Sequence, residues 1–364
     1  MIRSFLSQAP KKLLWIWAAG FALRLVATFF AGTAPDYVGY RLPIAECLTS
    51  GQWLYCDCNY NHTPFYPYLS ALMNLMSGGI PWLQTVLITL PLAIGDALVA
   101  LVFYVLLVRI KKEDIAFKAS AFYALNPMAI IEVGIAHWDG FTTFFFLLSM
   151  LYLHDKKIFG SGVAAGFGVL LKQFPLAIVL IGFSRDKNFK RAFLLGTTTV
   201  FVVLLGFLPF LLKCPETFFQ NLAGHPLWKG AASSEVGIGT LKDVSERLSV
   251  PHAKLIWVGL FVALIGIPFF KTNERNYFYY AGLVLVTLAY FTFVTHRQLL
   301  IWAMPFLIVL TLEKKTYVPF ALVFVGYAIR IIKPDWYFGL LHLGVGVWYY
   351  IAFFKTLTDR QHAG

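Results

Sequence analysis

Apolar runs close to twenty residues long recur along this 364-residue chain, and lysines and arginines cluster in short breaks between them. A run of that length, coiled as an α-helix, matches the hydrocarbon thickness of a bilayer. In lipid such a segment must satisfy its own backbone hydrogen bonds, which a helix does. Composition agrees: 59% of residues are apolar, 13% are charged, and mean hydropathy is +0.70. A soluble domain would carry roughly a quarter charged residues. The chain therefore reads as an all-α, polytopic membrane protein. Its net charge of +12 sits in short inter-span clusters, the pattern of cytoplasmic turns beside anionic lipid and not of a nucleic-acid-binding face.

The clusters set an orientation. Lys11 and Lys12 precede the first span, about 13–31, and put the N-terminus in the cytoplasm. A cleaved signal peptide is the competing reading, and the long run with Arg24 inside it and Pro35 beyond argues against it. The next span, about 82–108, returns to Arg109, Lys111 and Lys112, so loop 32–81 lies outside. Within that loop, 64–78 is apolar but short and reads as a helix lying along the membrane surface. Residues 117–135 then go out, turn at His137-Trp138-Asp139-Gly140, and 141–153 return to Asp155, Lys156 and Lys157. Too few residues separate these from Arg185, Lys187, Lys190 and Arg191 for two full spans. A short hairpin turning at Lys172-Gln173-Phe174-Pro175 is expected, with Pro175 breaking the helix and Lys172 exposed to a gap in the bundle.

Span 190–212 leads to a second outer loop, 213–252, and spans near 253–270, 277–294, 299–312, 317–332 and 337–354 follow. Counting the hairpin as two gives about twelve membrane helices with both termini inside. The expectation is one membrane domain, 1–364, with two sizeable outer loops and no internal repeat. Cys47, Cys56, Cys58 and Cys214 all fall on the outer side, where disulfides form. A bond within the first loop, or one joining the two loops through Cys214, are both open. A metal site at Cys56-x-Cys58 is a weaker reading. Asn61-His62-Thr63 is a glycosylation sequon, but Pro64 follows it and the membrane is close.

Polar residues gather at the outer ends of the spans: Asp36, Arg41 and His62; His137 and Asp139; Lys172 and Gln173; His225; His296, Arg297 and Gln298. A transporter places its binding groups in broken helices near the midplane, usually in repeated halves. An outer chamber of carboxylate, imidazole and cations beside lipid suits a lipid-phosphate substrate instead.

These residues carry a resemblance. Asp36-Tyr37-x-x-x-Arg41, then Trp53-x-Tyr55, Asn61-x-Thr63-Pro64 and Tyr66-Pro67-Tyr68, is similar to the first outer loop of C-type glycosyltransferases. The subgroup it most resembles extends lipid-linked oligosaccharides with glucose. The chain departs from that subgroup at Val38, where the subgroup has Glu, and at Thr63, where it has Pro. Asn126-Pro127 leading to His137-Trp138-Asp139-Gly140, the turn Leu171-Lys172-Gln173-Phe174-Pro175, and His296-Arg297-Gln298 running to Pro305 follow in family order. The likeness covers 32–180 and, less closely, 290–310. It implies transfer of a sugar from a polyprenyl-phosphate donor to an acceptor hydroxyl, with inversion, by a multi-pass enzyme. The short chain points to a prokaryotic member, acting at the plasma membrane; in a eukaryote the place would be the endoplasmic reticulum.

That reaction needs a carboxylate to take the acceptor's proton, and Asp36 stands at the family's base position. It needs positive charge where the leaving phosphate gathers electrons. Arg41, Lys172, His296 and Arg297 are the outer cations, and Gln173, Gln298, His137, Asp139 and His62 are further substrate-binding candidates. Blander readings stand beside these. Asp36 and Arg41 also read as a loop-closing ion pair, Asp139 as a helix cap, Lys172 as an interfacial lysine and His62 as a packing residue. Glu46, among apolar neighbours, reads as structural with a second acid as its alternative, and Asp57 reads as structural. Some branches of the family hold a divalent ion with paired acids; Asp36 has no adjacent carboxylate, so metal use stays open with a metal-independent enzyme favoured. The sugar, with a hexose such as mannose or glucose favoured, and the glycan, glycolipid or lipid-linked acceptor are not identified. A lipid-linked-sugar flippase and a non-catalytic assembly subunit are the competing classes.

Overall fold

Proline and asparagine place the breaks between helices, and the breaks decide where polar groups can gather. The structure is a computed structural model that describes residues 9–58, 60–110, 112–223, 253–291, 297–332 and 336–362. Among these residues it is helical apart from turns and one isolated bridge between Leu54 and Cys58. Contacts divide the chain into two units, Met1–Leu176 with Phe193–Ser233, and Ala177–Ala192 with Ser234–Gly364.

In the first unit, α1 spans Lys11–Thr28 and starts directly after Pro10. A π turn at Tyr37–Arg41 runs into α2, Leu42–Thr49, and α3 covers Phe65–Met76. The long helix α4, Pro81–Arg109, begins with proline at its first position, where the missing N–H has no helical partner to lose. Of three helical stretches long and apolar enough to cross a membrane, α4 is the most enclosed. Its apolar window is 72% buried, against 22% each for Lys11–Thr33 and Phe189–Lys213. It is therefore the axis of the unit, while the other two show most of their apolar surface outward.

The expected span 117–135 is instead two helices, α5 (Glu113–Ala124) and α6 (Pro127–Gly134). Asn126 accepts a hydrogen bond from the Met128 N–H at 2.9 Å, and Pro127 takes the first position of α6. A side-chain cap followed by a residue with no N–H starts a new helix at that point. Helix α7 then covers Asp139–His154 and α8 Ile158–Val169. The expected short hairpin corresponds to α8, a 3-10 turn at Phe174–Leu176, and α9, Ala177–Asp186, which lies in the other unit. At about 1.5 Å per residue neither helix reaches across a bilayer.

Helix α3 buries Tyr66, Pro67, Ser70 and Ala71 and leaves Tyr68, Leu72, Leu75 and Met76 exposed. An outward apolar face on a short helix is what a membrane-surface helix presents to lipid. Helix α10, Phe189–Lys213, which belongs to this unit from Phe193 on, and α11, Pro215–Ala223, complete this unit's described helices. The cysteines pair as Cys47–Cys58 and Cys56–Cys214, so both open pairings are used and the Cys56-x-Cys58 metal reading falls away. The second bond fixes the first loop to the start of α11, where Tyr55, Phe210 and Phe218 share a core.

The second unit contains α9, α12 (Ala253–Lys271), α13 (Tyr277–Tyr290), α14 (Leu300–Lys314), α15 (Tyr317–Ile332) and α16 (Trp336–His362). Helix α13 is buried on nearly every side. Its entry is held by Asn276, whose amide donates to the carbonyls of Lys271 and Leu357, each at 3.1 Å.

Candidate active site

The site grows from three turns that meet over one small apolar core in the first unit. That core contains Ala34, Tyr37, Tyr66, Ile88, Ala136, Trp138 and Leu171. Asp36 begins the π turn, and the wider turn brings a residue five positions on, Arg41, toward the same side. Arg41 is buried. Its guanidinium carbon lies 3.4 Å from the centre of the Trp138 ring, and its Nε donates to the Ala136 carbonyl at 3.3 Å. Arg41 thus locks the 136–138 turn in place while its charge still acts on Asp36.

That turn is the end of α6. The His137 N–H donates to the Glu132 carbonyl at 2.9 Å and the Ala136 N–H to the Val133 carbonyl at 3.0 Å. Ala136 has φ of +63°. These features make a Schellman ending, with alanine in the left-handed position that glycine usually takes. The motif brings the residue after the turn back over the last turn of the helix, here His137 over Glu132. The His137 ring accordingly sits between two carboxylates, Nδ1 on Glu132 Oε2 and Nε2 on Asp36 Oδ2.

Burial by itself would lower the pKa of His137, but Glu132 and Asp36 outweigh it and push it up to about 9. Burial would likewise raise Asp36. The hydrogen bond and charge of His137, then Arg41 and Lys172, instead hold it well below the usual carboxylate range. At neutral pH Asp36 is thus a carboxylate and His137 an imidazolium, with Glu132 on the far side of the ring.

The third turn carries Lys172. Thr63 donates its hydroxyl to the Leu171 carbonyl at 2.7 Å and the Phe65 N–H donates to the Leu170 carbonyl at 3.2 Å, so the first loop holds this turn. The expectation of an open cation is corrected here. Lys172 is only 16% exposed and donates to Asp139 Oδ1 at 2.6 Å, because the turn packs down onto the start of α7. Asp139 makes no side-chain cap for α7; it is the buried partner of Lys172. Three carboxylates, Asp36, Glu132 and Asp139, therefore face three cations, Arg41, His137 and Lys172.

The structure brings Asp36, Arg41, His137, Asp139 and Lys172 together. His62 lies beside them, with its ring 5.7 Å from those of Tyr60 and Trp138. Gln173 is exposed beside Lys172. Gln298 belongs to the other unit and is half-buried. His225, His296 and the side chain of Arg297 lie outside the described residues. Glu46 is exposed, and Asp57 accepts from the Trp53 N–H at 2.8 Å to close its own turn. Among the described residues, no three His, Cys, Asp or Glu side chains are placed to hold a metal ion.

Two groups escape the sequence reading. Glu132 stands five residues before His137, a spacing that an unbroken helix would not bring together. Asp96, in the middle of α4, forms a buried ion pair with Arg24 of α1 and accepts from the Tyr123 hydroxyl at 2.9 Å. Its Oδ1 lies 1.8 Å from where a Cβ on Gly140 would stand, so α7 approaches α4 only because residue 140 is glycine. An acid and a base in separate apolar runs gave no sign of facing each other.

Residues 60–312 match the sequence profile of glycosyltransferase family 87. No curated protein matches the chain. The crystal structure of ArnT from Cupriavidus metallidurans bound to undecaprenyl phosphate aligns with TM-score 0.56 and 16% identity, over 96% of this chain and 77% of that one. At that identity the likeness concerns the fold. The profile covers more than half of the sequence and takes in the turns bearing Glu132, His137, Asp139 and Lys172, and on that ground the chain belongs to glycosyltransferase family 87.

Proposed function

We propose that this protein is an inverting glycosyltransferase that moves a sugar, a hexose such as mannose or glucose, from a polyprenyl-phosphate donor to an acceptor hydroxyl. Asp36 is the general base and the reaction runs at the extracytoplasmic face. The reading rests on one observation above others. In a cluster whose other members are buried or nearly so, the Asp36 side chain is 32% exposed and is held ionised. A carboxylate in that state and position can take a proton from a hydroxyl docked against it.

The donor class draws support from the fold shared with ArnT, whose structure holds undecaprenyl phosphate. Lys172 and Arg41 add positive charge to the site, and positive charge is what a leaving phosphate needs as it gathers electrons. In the step itself, the acceptor oxygen forms its bond to the anomeric carbon from the face opposite the phosphate. The bond to the phosphate oxygen breaks with its electron pair, and the hydroxyl proton goes to Asp36. No metal enters this scheme. The Arg24–Asp96 pair is buried, each charge set against the other.

The test uses purified protein, radiolabelled polyprenyl-phosphate mannose and glucose, and a panel of glycolipid acceptors. Transfer by the wild type should fall by about 10²–10⁴ in Asp36→Asn, the usual weight of a general base. Full transfer by Asp36→Asn would remove the assignment. Translocation of lipid-linked sugar across liposomes without transfer would favour the flippase.

A further inference from the structure

A base held by a neighbouring cation has a difficulty of its own. The same charge that keeps Asp36 ionised makes it a poor proton acceptor, and protonating it strands a buried imidazolium. A lone buried charge is expensive. The geometry around His137 addresses this, because the ring has a second carboxylate on its far side.

We propose that Glu132 is the counter-charge of the catalytic base: it holds the imidazolium of His137 from the side opposite Asp36, so that Asp36 can accept the acceptor's proton without leaving a bare buried cation. This rests on the reading of Asp36 as base. Before the step, Asp36, His137 and Glu132 carry −1, +1 and −1. The acceptor O–H bond breaks, a proton–oxygen bond forms on Asp36, and the charges become 0, +1 and −1. His137 and Glu132 remain as a neutral pair, and no further proton has to move. After product leaves, Asp36, the exposed member, returns the proton to water. Glu132 is 2% exposed and touches no substrate, so it is a positioning residue.

The fold explains why the pair forms. The Schellman ending sets His137 over Glu132, and Arg41 against Trp138 and the Ala136 carbonyl fixes the turn. Other ionisable groups around it are Arg41 and Lys172, whose charges reach Asp36, Asp139 on Lys172, Tyr66 near Arg41, and His62 beside Trp138.

The test is a titration that needs no substrate. The protein in lipid nanodiscs, with ¹⁵N-labelled histidine, gives imidazole nitrogen shifts from pH 5 to 10, and His137→Gln assigns the signal among the eight histidines. The wild-type His137 should stay an imidazolium past pH 8. Glu132→Gln, nearly the same shape, should lower its midpoint by at least one pH unit, and Glu132→Asp should restore part of the shift. In the transfer assay, Glu132→Gln should lower kcat at least tenfold, leave the acceptor KM within threefold, and move both limbs of the pH profile to lower pH. An unmoved His137 titration in Glu132→Gln would overturn the inference and leave Asp36 as base untouched. Full transfer by Asp36→Asn would overturn both.

Discussion

At the scale of single residues, the cluster around His137 is a set of charges whose protonation is decided by neighbours. The pKa of His137 is about 9 in the native site against an ordinary 6.5, because two carboxylates flank it. A group raised in this way stabilises the native state fully below about pH 6.5, and that contribution is lost as pH rises through about 9. Asp36 is lowered, so its contribution is full above its ordinary 3.8 and fades only in acid. Thermal unfolding of the detergent-solubilised protein should therefore show stability falling between pH 6.5 and 9, and a flatter dependence in His137→Gln. Ala136 gives a second prediction. A left-handed alanine costs roughly 1–2 kcal/mol that glycine avoids. Ala136→Gly should raise stability by about 1 kcal/mol and keep transfer, whereas Ala136→Val should lower both. Much of this cluster was readable beforehand: Asp36, Arg41, His137, Asp139 and Lys172 lie in short polar turns that interrupt apolar runs. Glu132 was not, because it stands inside a run read as a continuous span.

At the scale of elements, the site depends on how closely α7 approaches α4. Asp96 Oδ1 occupies the space a side chain at position 140 would need. The carboxylate has no room to retreat, being held by Arg24 and Tyr123. Gly140→Ala should thus push the start of α7 outward, carrying Asp139 away from Lys172. We expect a stability loss of about 1–3 kcal/mol, the range for an overpacked interior, together with reduced transfer. Unchanged unfolding temperature and activity would contradict this account of the contact. The helices themselves were partly legible, since their lengths follow apolar runs, but their starts after Pro10 and at Pro81 and Pro127 were not read. The break at Asn126-Pro127 was present in the sequence too. Its consequence, a turn that folds His137 back on Glu132, appears only once the backbone geometry is known.

At the scale of the whole molecule, the two disulfides differ in reach. Cys47–Cys58 closes 11 residues and Cys56–Cys214 closes 158. Chain-entropy reasoning assigns more stabilisation to the longer closure. Replacing Cys56 and Cys214 with serine should therefore lower the unfolding temperature more than replacing Cys47 and Cys58. The same bonds test orientation. If the first loop faces outward, a membrane-impermeant reductant applied to intact cells should free these thiols for labelling by an impermeant maleimide. Labelling only after the membrane is permeabilised would put the loop, and the proposed chemistry, on the other side.

The sequence by itself determined the class of molecule, because hydropathy is a sum over residues and needs no knowledge of their neighbours in space. It also determined which turns carry charge, and through an ordered set of short motifs it pointed to the family. Which charges meet was left to tertiary structure. A buried charge is stable only against a partner, and the partners here come from distant segments: Arg24 with Asp96, Asp36 with His137, Asp139 with Lys172. The fold turned Lys172 from an open cation into a paired one, set His62 against Trp138, and supplied Glu132. Pairing energy depends on separations of a few ångströms, and only the packed chain sets those.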